Sequence, residues 1–99
     1  AGRADAADWR MPLLVAAANY RLGSFEEALK GLEELKPIPS GNILLHSTFL
    51  AMTRHQLGRT QPAWEALETA RSRLRGHAEA GTLQERRLVE EAERLMASN

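Results

Sequence analysis

The apolar positions of this chain recur with the period of an α-helix in several separate segments. In one of them Ala28, Leu29, Leu32 and Leu35 are spaced to form a stripe along one helix face. We predict five helices, near residues 9–22, 25–36, 43–57, 60–75 and 83–97. No segment alternates apolar and polar residues as a half-buried strand does. The sequence therefore predicts an all-α fold.

Glycine and cap-forming residues separate these helices. Gly23 and Gly58 suit the left-handed conformation that closes a helix, because glycine has no Cβ to clash there. Ser24 and Glu27 form the pattern of a capping box for the second helix, and Thr60 is predicted to cap the fourth. Helices joined so tightly fold back as αα-hairpins. The remaining predicted boundaries are an Asp8 cap, the turn at Pro37–Asn42, the loop at Gly76–Gly81 and a Thr82–Glu85 capping box.

The hairpin pattern occurs twice, with an offset of thirty-five residues. Large, small and glycine positions all match in that frame: Val15 with Leu50, Ala16 with Ala51, Leu22 with Leu57, Gly23 with Gly58, Ala28 with Ala63, Leu32 with Leu67, and Glu33 with Glu68. A helix–turn–helix unit of about 34 residues is typical of tetratricopeptide (TPR) repeats.

The motif positions support that comparison. The family pattern W-x2-L-G-x2-Y, then A-x3-F, corresponds to two sets of residues: Pro12, Val15, Ala16, Asn19, Ala28 and Leu32, then Ser47, Leu50, Ala51, Arg54, Ala63 and Leu67. The chain therefore resembles TPR proteins from about Trp9 to Leu74. The aromatic residues of the first helix are absent, and we expect Arg54, at an interior position, to extend its guanidinium towards solvent.

The resemblance implies a right-handed superhelix of TPR-like hairpins in a single domain, residues 1–99. The first repeat would span about 9–40, the second about 43–75, and a capping helix about 82–97. Terminal repeats need such a cap because each unit leaves one apolar face uncovered. The fourth helix is expected to bury Ala63, Trp64, Leu67, Ala70 and Leu74. The apolar positions of the fifth helix are Leu83, Leu88, Val89, Ala92, Leu95 and Met96, of which Leu88, Ala92 and Leu95 are expected to lie on the fourth helix.

In TPR arrays the first helix of each repeat lines a concave groove that holds a peptide or a partner's helix. By position, that concave strip here comprises Arg10, Leu13, Ala17, Tyr20, Arg21, Leu45, Thr48, Met52, His55 and Gln56. The alternative for these residues is an ordinary solvated or inter-repeat surface. A strip of this composition favours an apolar or amphipathic segment over an acidic C-terminal peptide.

Composition restricts the other functional classes. Thirteen basic residues balance thirteen acidic ones, so nothing points to nucleic acid as the partner. The chain has no cysteine, and its three histidines lack ligand spacing, so we expect no metal and no cofactor. Its longest apolar run, Pro12–Ala18, is too short to cross a membrane. No phosphate-binding loop or nucleophile motif is present, and we do not expect an enzyme.

These observations predict a protein–protein interaction module, cut from a larger multidomain protein. The resemblance suggests a bacterial, cytoplasmic setting, since comparable arrays are attached to signalling kinases or assembly factors. The alternative is a structural module whose exposed surfaces serve self-association, giving a homo-oligomer without a separate ligand.

Overall fold

The computed structural model describes residues 10–35, 43–76 and 83–97, which form five helices and no strand. The helices are α1 (Arg10–Arg21), α2 (Phe25–Glu34), α3 (Ile43–Gln56), α4 (Thr60–Gly76) and α5 (Leu83–Ala97). The all-α prediction is confirmed, and each helix end lies within two residues of its predicted position. The predictions for Asp8, the Pro37–Asn42 turn, the loop after Gly76 and the cap at Thr82 lie outside the described residues.

The turn between α1 and α2 is closed by backbone hydrogen bonds around Gly23. Gly23 has a φ of +86°, in the left-handed region. The Ser24 amide donates to the Asn19 carbonyl at 2.8 Å, and the Gly23 amide donates to the Tyr20 carbonyl at 3.1 Å. This pair of bonds defines a Schellman motif. The α3–α4 turn repeats it thirty-five residues later, with Gly58 at φ +81° and bonds from Arg59 to Arg54 and from Gly58 to His55.

The residues that begin α2 and α4 differ from the predicted caps. Ser24 does occupy the N-cap of α2, but its hydroxyl makes no capping hydrogen bond, so the predicted capping box is wrong. Its ψ of 68° departs from the extended conformation that aims a capping side chain at the helix. In α4 the carbonyl of Arg59 accepts the first helical bond, from Ala63. Arg59 is therefore the N-cap, and Thr60 is already inside the helix.

Helix α3 lies at the centre of the fold and packs against each of the other four helices. Its buried residues consequently surround the helix instead of forming one stripe, and several of them are polar. Thr48 and Thr53 satisfy their hydroxyls by donating to the carbonyls of Leu44 and Phe49, each at 2.7 Å. No buried side-chain polar atom of the described residues lacks a hydrogen-bond partner.

Small residues allow the helices of each hairpin to pack closely. Ala28 and Ala63 are fully buried, as predicted. In the first hairpin, a Cβ added to Gly31 would lie 3.5 Å from the Cβ of Ala16. Side chains this small allow α1 and α2 to lie close together, and a methyl group at Gly31 would make only an ordinary van der Waals contact with Ala16.

Helix α5 packs against both α3 and α4 rather than covering α4 alone. Its buried residues are Leu88, Val89, Ala92 and Met96, and Arg71 of α4 pairs with Glu93 at 3.2 Å. One prediction of burial is wrong, because Trp64 is exposed. Trp64 lies beside the α4 stripe, where Ala66 is buried instead. None of the described helices is long and apolar enough to cross a membrane.

Candidate functional site

The residues of the predicted concave strip occupy very different environments. Four of them, Leu13, Tyr20, Thr48 and Met52, are buried in the core. Ala17, Leu45 and His55 are partly buried, whereas Arg21 and Gln56 are exposed. Arg10 begins α1. Buried residues cannot contact a ligand without rearrangement, so in this structure the strip is mainly part of the core. Whether its exposed end binds a partner stays a prediction.

That exposed end borders a cavity of about 610 Å³. Tyr20, Arg21 and Gln56 line it together with residues from the α1–α2 turn and from α5, namely Gly23, Phe25, Glu91, Arg94 and Leu95. The sequence analysis missed the contribution of α5. Leu95 belongs to an apolar stripe that was expected to lie on α4, and no sequence signal distinguished α3 from α4 as its neighbour.

An ion pair connects the first and last described helices across this cavity. Arg21 Nη1 lies 2.6 Å from Glu91 Oε2, and Nη2 lies 3.2 Å from Oε1, so the contact is bidentate. The guanidinium also lies over two rings, 5.6 Å from the centroid of Tyr20 and 5.7 Å from that of Phe49. The hydrogen bond to Glu91 raises the pKa of Arg21 above its ordinary value. This ion pair is a direct contact between the α1 end of the strip and α5.

A second surface lies on the opposite side of α1. Four of its residues, Met11, Leu14, Val15 and Ala18, are exposed and form what we call the outer face of α1. Met11 and Val15 also line a cavity of about 600 Å³ between α1 and α2, here named the α1–α2 groove. Asn19 of α1 and three charged residues of α2, Glu27, Lys30 and Glu34, complete its rim. An apolar floor with a polar rim is typical of helix-binding grooves.

The internal repeat shows why the outer face of α1 is unusual. Met11 and Leu14 are 63% and 61% exposed, whereas their counterparts thirty-five residues later, His46 and Phe49, are each 7% exposed. Ala18 is exposed, whereas its counterpart Thr53 is fully buried. The first hairpin contacts two of these residues of α3, His46 through Leu32 and Phe49 through Tyr20. No described element covers the equivalent face of α1.

Two polar contacts fix how α2 covers α3. The Nε2–H of His46 donates to the carbonyl oxygen of Leu32 at 2.7 Å, a geometry that requires the hydrogen on Nε2 because a carbonyl only accepts. Burial lowers the pKa of His46, the bond to Leu32 opposes this change, and the charge of Arg54 adds to it. Arg54 donates to the carbonyl of Pro62 at 3.2 Å and lies 3.8 Å from Glu33. The guanidinium of Arg54, which is expected from the sequence to extend towards solvent, therefore lies at the boundary between the two hairpins.

Among the described residues, no three histidine or acidic side chains are arranged to hold a metal ion. Both surfaces offer apolar area bordered by charges, which suits the recognition of another polypeptide.

No protein-family model matches the chain, and neither a curated protein nor a solved structure is significantly similar to it. The TPR resemblance therefore depends only on the motif positions and on the repeated hairpin.

Proposed function

We propose that this chain is a protein–protein interaction module, built as two TPR-like hairpins and a capping helix, that binds a helical segment of a partner. In this proposal the binding surface is the outer face of α1 with the α1–α2 groove. It replaces the concave strip as the main candidate because the larger apolar residues of that strip are buried.

One observation carries the proposal: Met11 and Leu14 are exposed on α1, whereas their counterparts in the second hairpin, His46 and Phe49, are buried. Met11, Leu14 and Val15 are each more than half exposed and lie on adjacent turns of one helix face. Contiguous exposed apolar patches are uncommon on monomeric proteins and commonly mark interaction sites. The rim of Glu27, Lys30 and Glu34 supplies charges of both signs for selectivity.

Self-association is the alternative function, and it uses the same surface. A rim with both signs of charge can be complementary to a second copy of itself, as a two-fold interface requires. The chain has thirteen basic and thirteen acidic residues, so two copies would not repel each other through net charge. Sedimentation velocity over a range of concentrations separates the two functions. A concentration-independent monomer favours a separate partner, whereas a dimer favours self-association.

The test of the proposal is selection of peptides from a random display library, followed by calorimetry. Selected peptides should bind the wild-type chain and lose most of their affinity for the variant Leu14→Lys with Val15→Glu, which keeps the net charge unchanged. The matched control is Leu83→Lys, since Leu83 is an equally exposed apolar residue on α5. Unaltered affinity for the α1 variant, or loss only with Leu83→Lys, would move the site away from α1.

A further inference from the structure

We infer that the occupant of the α1–α2 groove is an amphipathic helix with the apolar stripe of α2 but with a basic residue where α2 carries Glu33. This inference rests on the proposed function and specifies the chemistry of its partner. It follows from comparing the covered groove of the second hairpin with the open groove of the first.

The second hairpin provides the template, because its equivalent surface is already covered by a helix. That helix is α2, whose Leu32 carbonyl accepts from His46 near the beginning of α3. Leu29, one turn earlier in α2, lines a cavity with Leu57, which follows the end of α3. The contacts of α2 therefore extend along α3 from His46 near its beginning to Arg54 and Leu57 at its end. A helix on the outer face of α1 would contact the equivalent positions, from Met11 to Asn19.

The size of the groove agrees with a single helix. Helix α1 has 12 residues and α2 has 10, so each extends roughly 15–18 Å at the rise of an α-helix. Two such helices side by side present an area well below the roughly 800 Å² per partner of a standard interface. One amphipathic helix of about three turns fills it, and a whole second domain is not needed.

Two replacements between the repeats change the charge that the occupant must match. At the surface of the second hairpin, Arg54 of α3 faces Glu33 of the covering helix α2. Arg54 also donates to the carbonyl of Pro62. Thirty-five residues earlier, the places of Arg54 and Pro62 are taken by Asn19 and Glu27, which both line the α1–α2 groove. Asn19 is neutral where Arg54 is positive, and Glu27 is negative where Pro62 is neutral. The residue equivalent to Glu33 should therefore be Lys or Arg.

The carboxylate of Glu27, on the rim of the α1–α2 groove, can pair with such a basic residue. Glu27 makes no ion pair with another described residue, and its side chain is exposed beside Asn19. At the other end Met11 replaces His46, so the contact that was a hydrogen bond in the second hairpin becomes apolar. The occupant then needs a large apolar side chain there and no exposed carbonyl.

The experiment uses two peptides of residues 24–35 as probes, each held helical by a lactam between Glu26 and Lys30. One keeps Glu33, and the other carries Glu33→Arg. Binding to the ¹⁵N-labelled chain is followed by amide chemical shifts, which measure weak affinity and locate the contact. We expect shifts on the turns from Met11 to Asn19, and affinity about three- to fivefold higher for the arginine peptide, as for one partly exposed ion pair.

Variants of the chain separate the charge from the apolar contact. Glu27→Gln should abolish the difference between the two peptides, and Met11→Lys should weaken both by about tenfold. Glu65→Gln, which removes an exposed carboxylate from α4, is the control and should change neither affinity.

Equal binding of the two peptides to the wild-type chain, or no shifts at about millimolar peptide, would overturn the inference. A dimer that is abolished by Met11→Lys would overturn it in favour of a second copy of the chain. Failure here is distinguishable from failure of the proposed function. If library peptides bind at the outer face without an α2-like stripe, the function stands and this partner is wrong.

Discussion

Gly23 and Gly58 occupy equivalent positions in the turns of two successive hairpins, with φ values of +86° and +81°. Neither glycine has an atom within 4 Å of the place where a Cβ would lie. The space is open at both positions, so only the backbone conformation restricts the residue there.

Alanine at either turn glycine should therefore be destabilising without any steric clash. We expect Gly23→Ala and Gly58→Ala each to lower the free energy of unfolding by about 1–2 kcal/mol, measured by urea denaturation. Gly31→Ala is the matched control. Gly31 is helical and a Cβ there makes ordinary contact with Ala16, so this change should stabilise by up to about 1 kcal/mol. Equal losses in all three variants would contradict the argument.

The close crossing of α3 and α4 should not tolerate a larger side chain. Ala63 is fully buried, so Ala63→Leu is expected to cost roughly 1–3 kcal/mol by overpacking. Thermal melting measures the effect, and a double change at two exposed positions, Lys30→Ala with Glu65→Ala, serves as the control. An unchanged melting temperature for Ala63→Leu would show that the hairpin register is wrong.

Substitution of two buried residues of the predicted concave strip should lower the free energy of unfolding. Met52 is fully buried, and Tyr20 packs its ring 5.9 Å from that of Phe49. Tyr20→Ala and Met52→Ala should each cost about 2–5 kcal/mol by leaving a cavity. Circular dichroism during urea denaturation measures this. If both variants keep wild-type stability, the described core is wrong and the strip becomes an open groove.

Acid should weaken the fold through His46. Its pKa is lowered, chiefly by burial, so the unfolded chain binds a proton at a higher pH than the folded chain does. The stability that His46 contributes is complete above the unfolded pKa of about 6.5 and is lost as the pH falls towards the lower folded pKa. His46→Gln keeps a donor for the Leu32 carbonyl. Its unfolding free energy should fall less than that of the wild type from pH ~7.5 to ~5.5; parallel profiles would exclude the effect.

The ion pair between Arg21 and Glu91 should contribute little by itself. Both side chains are about half exposed, and such pairs contribute about 0.2–1 kcal/mol. A double-mutant cycle with Arg21→Ala and Glu91→Ala should give a coupling in this range that decreases in about 0.5 M salt. Arg21→Ala should be the more costly single change, because Arg21 also contacts the rings of Tyr20 and Phe49. The reverse order would show that these ring contacts are not stabilising.

The helices were predictable because their signals are local. Glycine at a left-handed position and an apolar stripe act within one turn, so the five helices and the burial of Ala28 and Ala63 follow from short stretches of sequence. The capping box failed for a local reason as well. The Schellman bond to Ser24 fixes a backbone conformation that turns its hydroxyl away from capping.

The outer face of α1 could not be predicted from the sequence, because its exposure depends on which helices pack against it. Met11, Leu14 and His46 all sit in apolar helical patterns, and sequence alone cannot show which of these faces a neighbouring helix covers. The burial of Tyr20 likewise depends on a neighbouring helix, since its ring packs against Phe49 of α3. Comparing the two repeats position by position identifies the open face, but only once one copy is known to be covered.

Arg54 touches both hairpins, through Glu33 in the first and the Pro62 carbonyl in the second. In repeat architectures, global cooperativity arises from such contacts between neighbouring units as well as from the units themselves. A single side chain at this boundary thus helps to make two hairpins melt in one transition. Without such contacts between the hairpins, which include the His46–Leu32 bond and the Tyr20–Phe49 ring contact, the first hairpin would open while the second stays folded, exposing the His46 side of α3 as a new apolar surface.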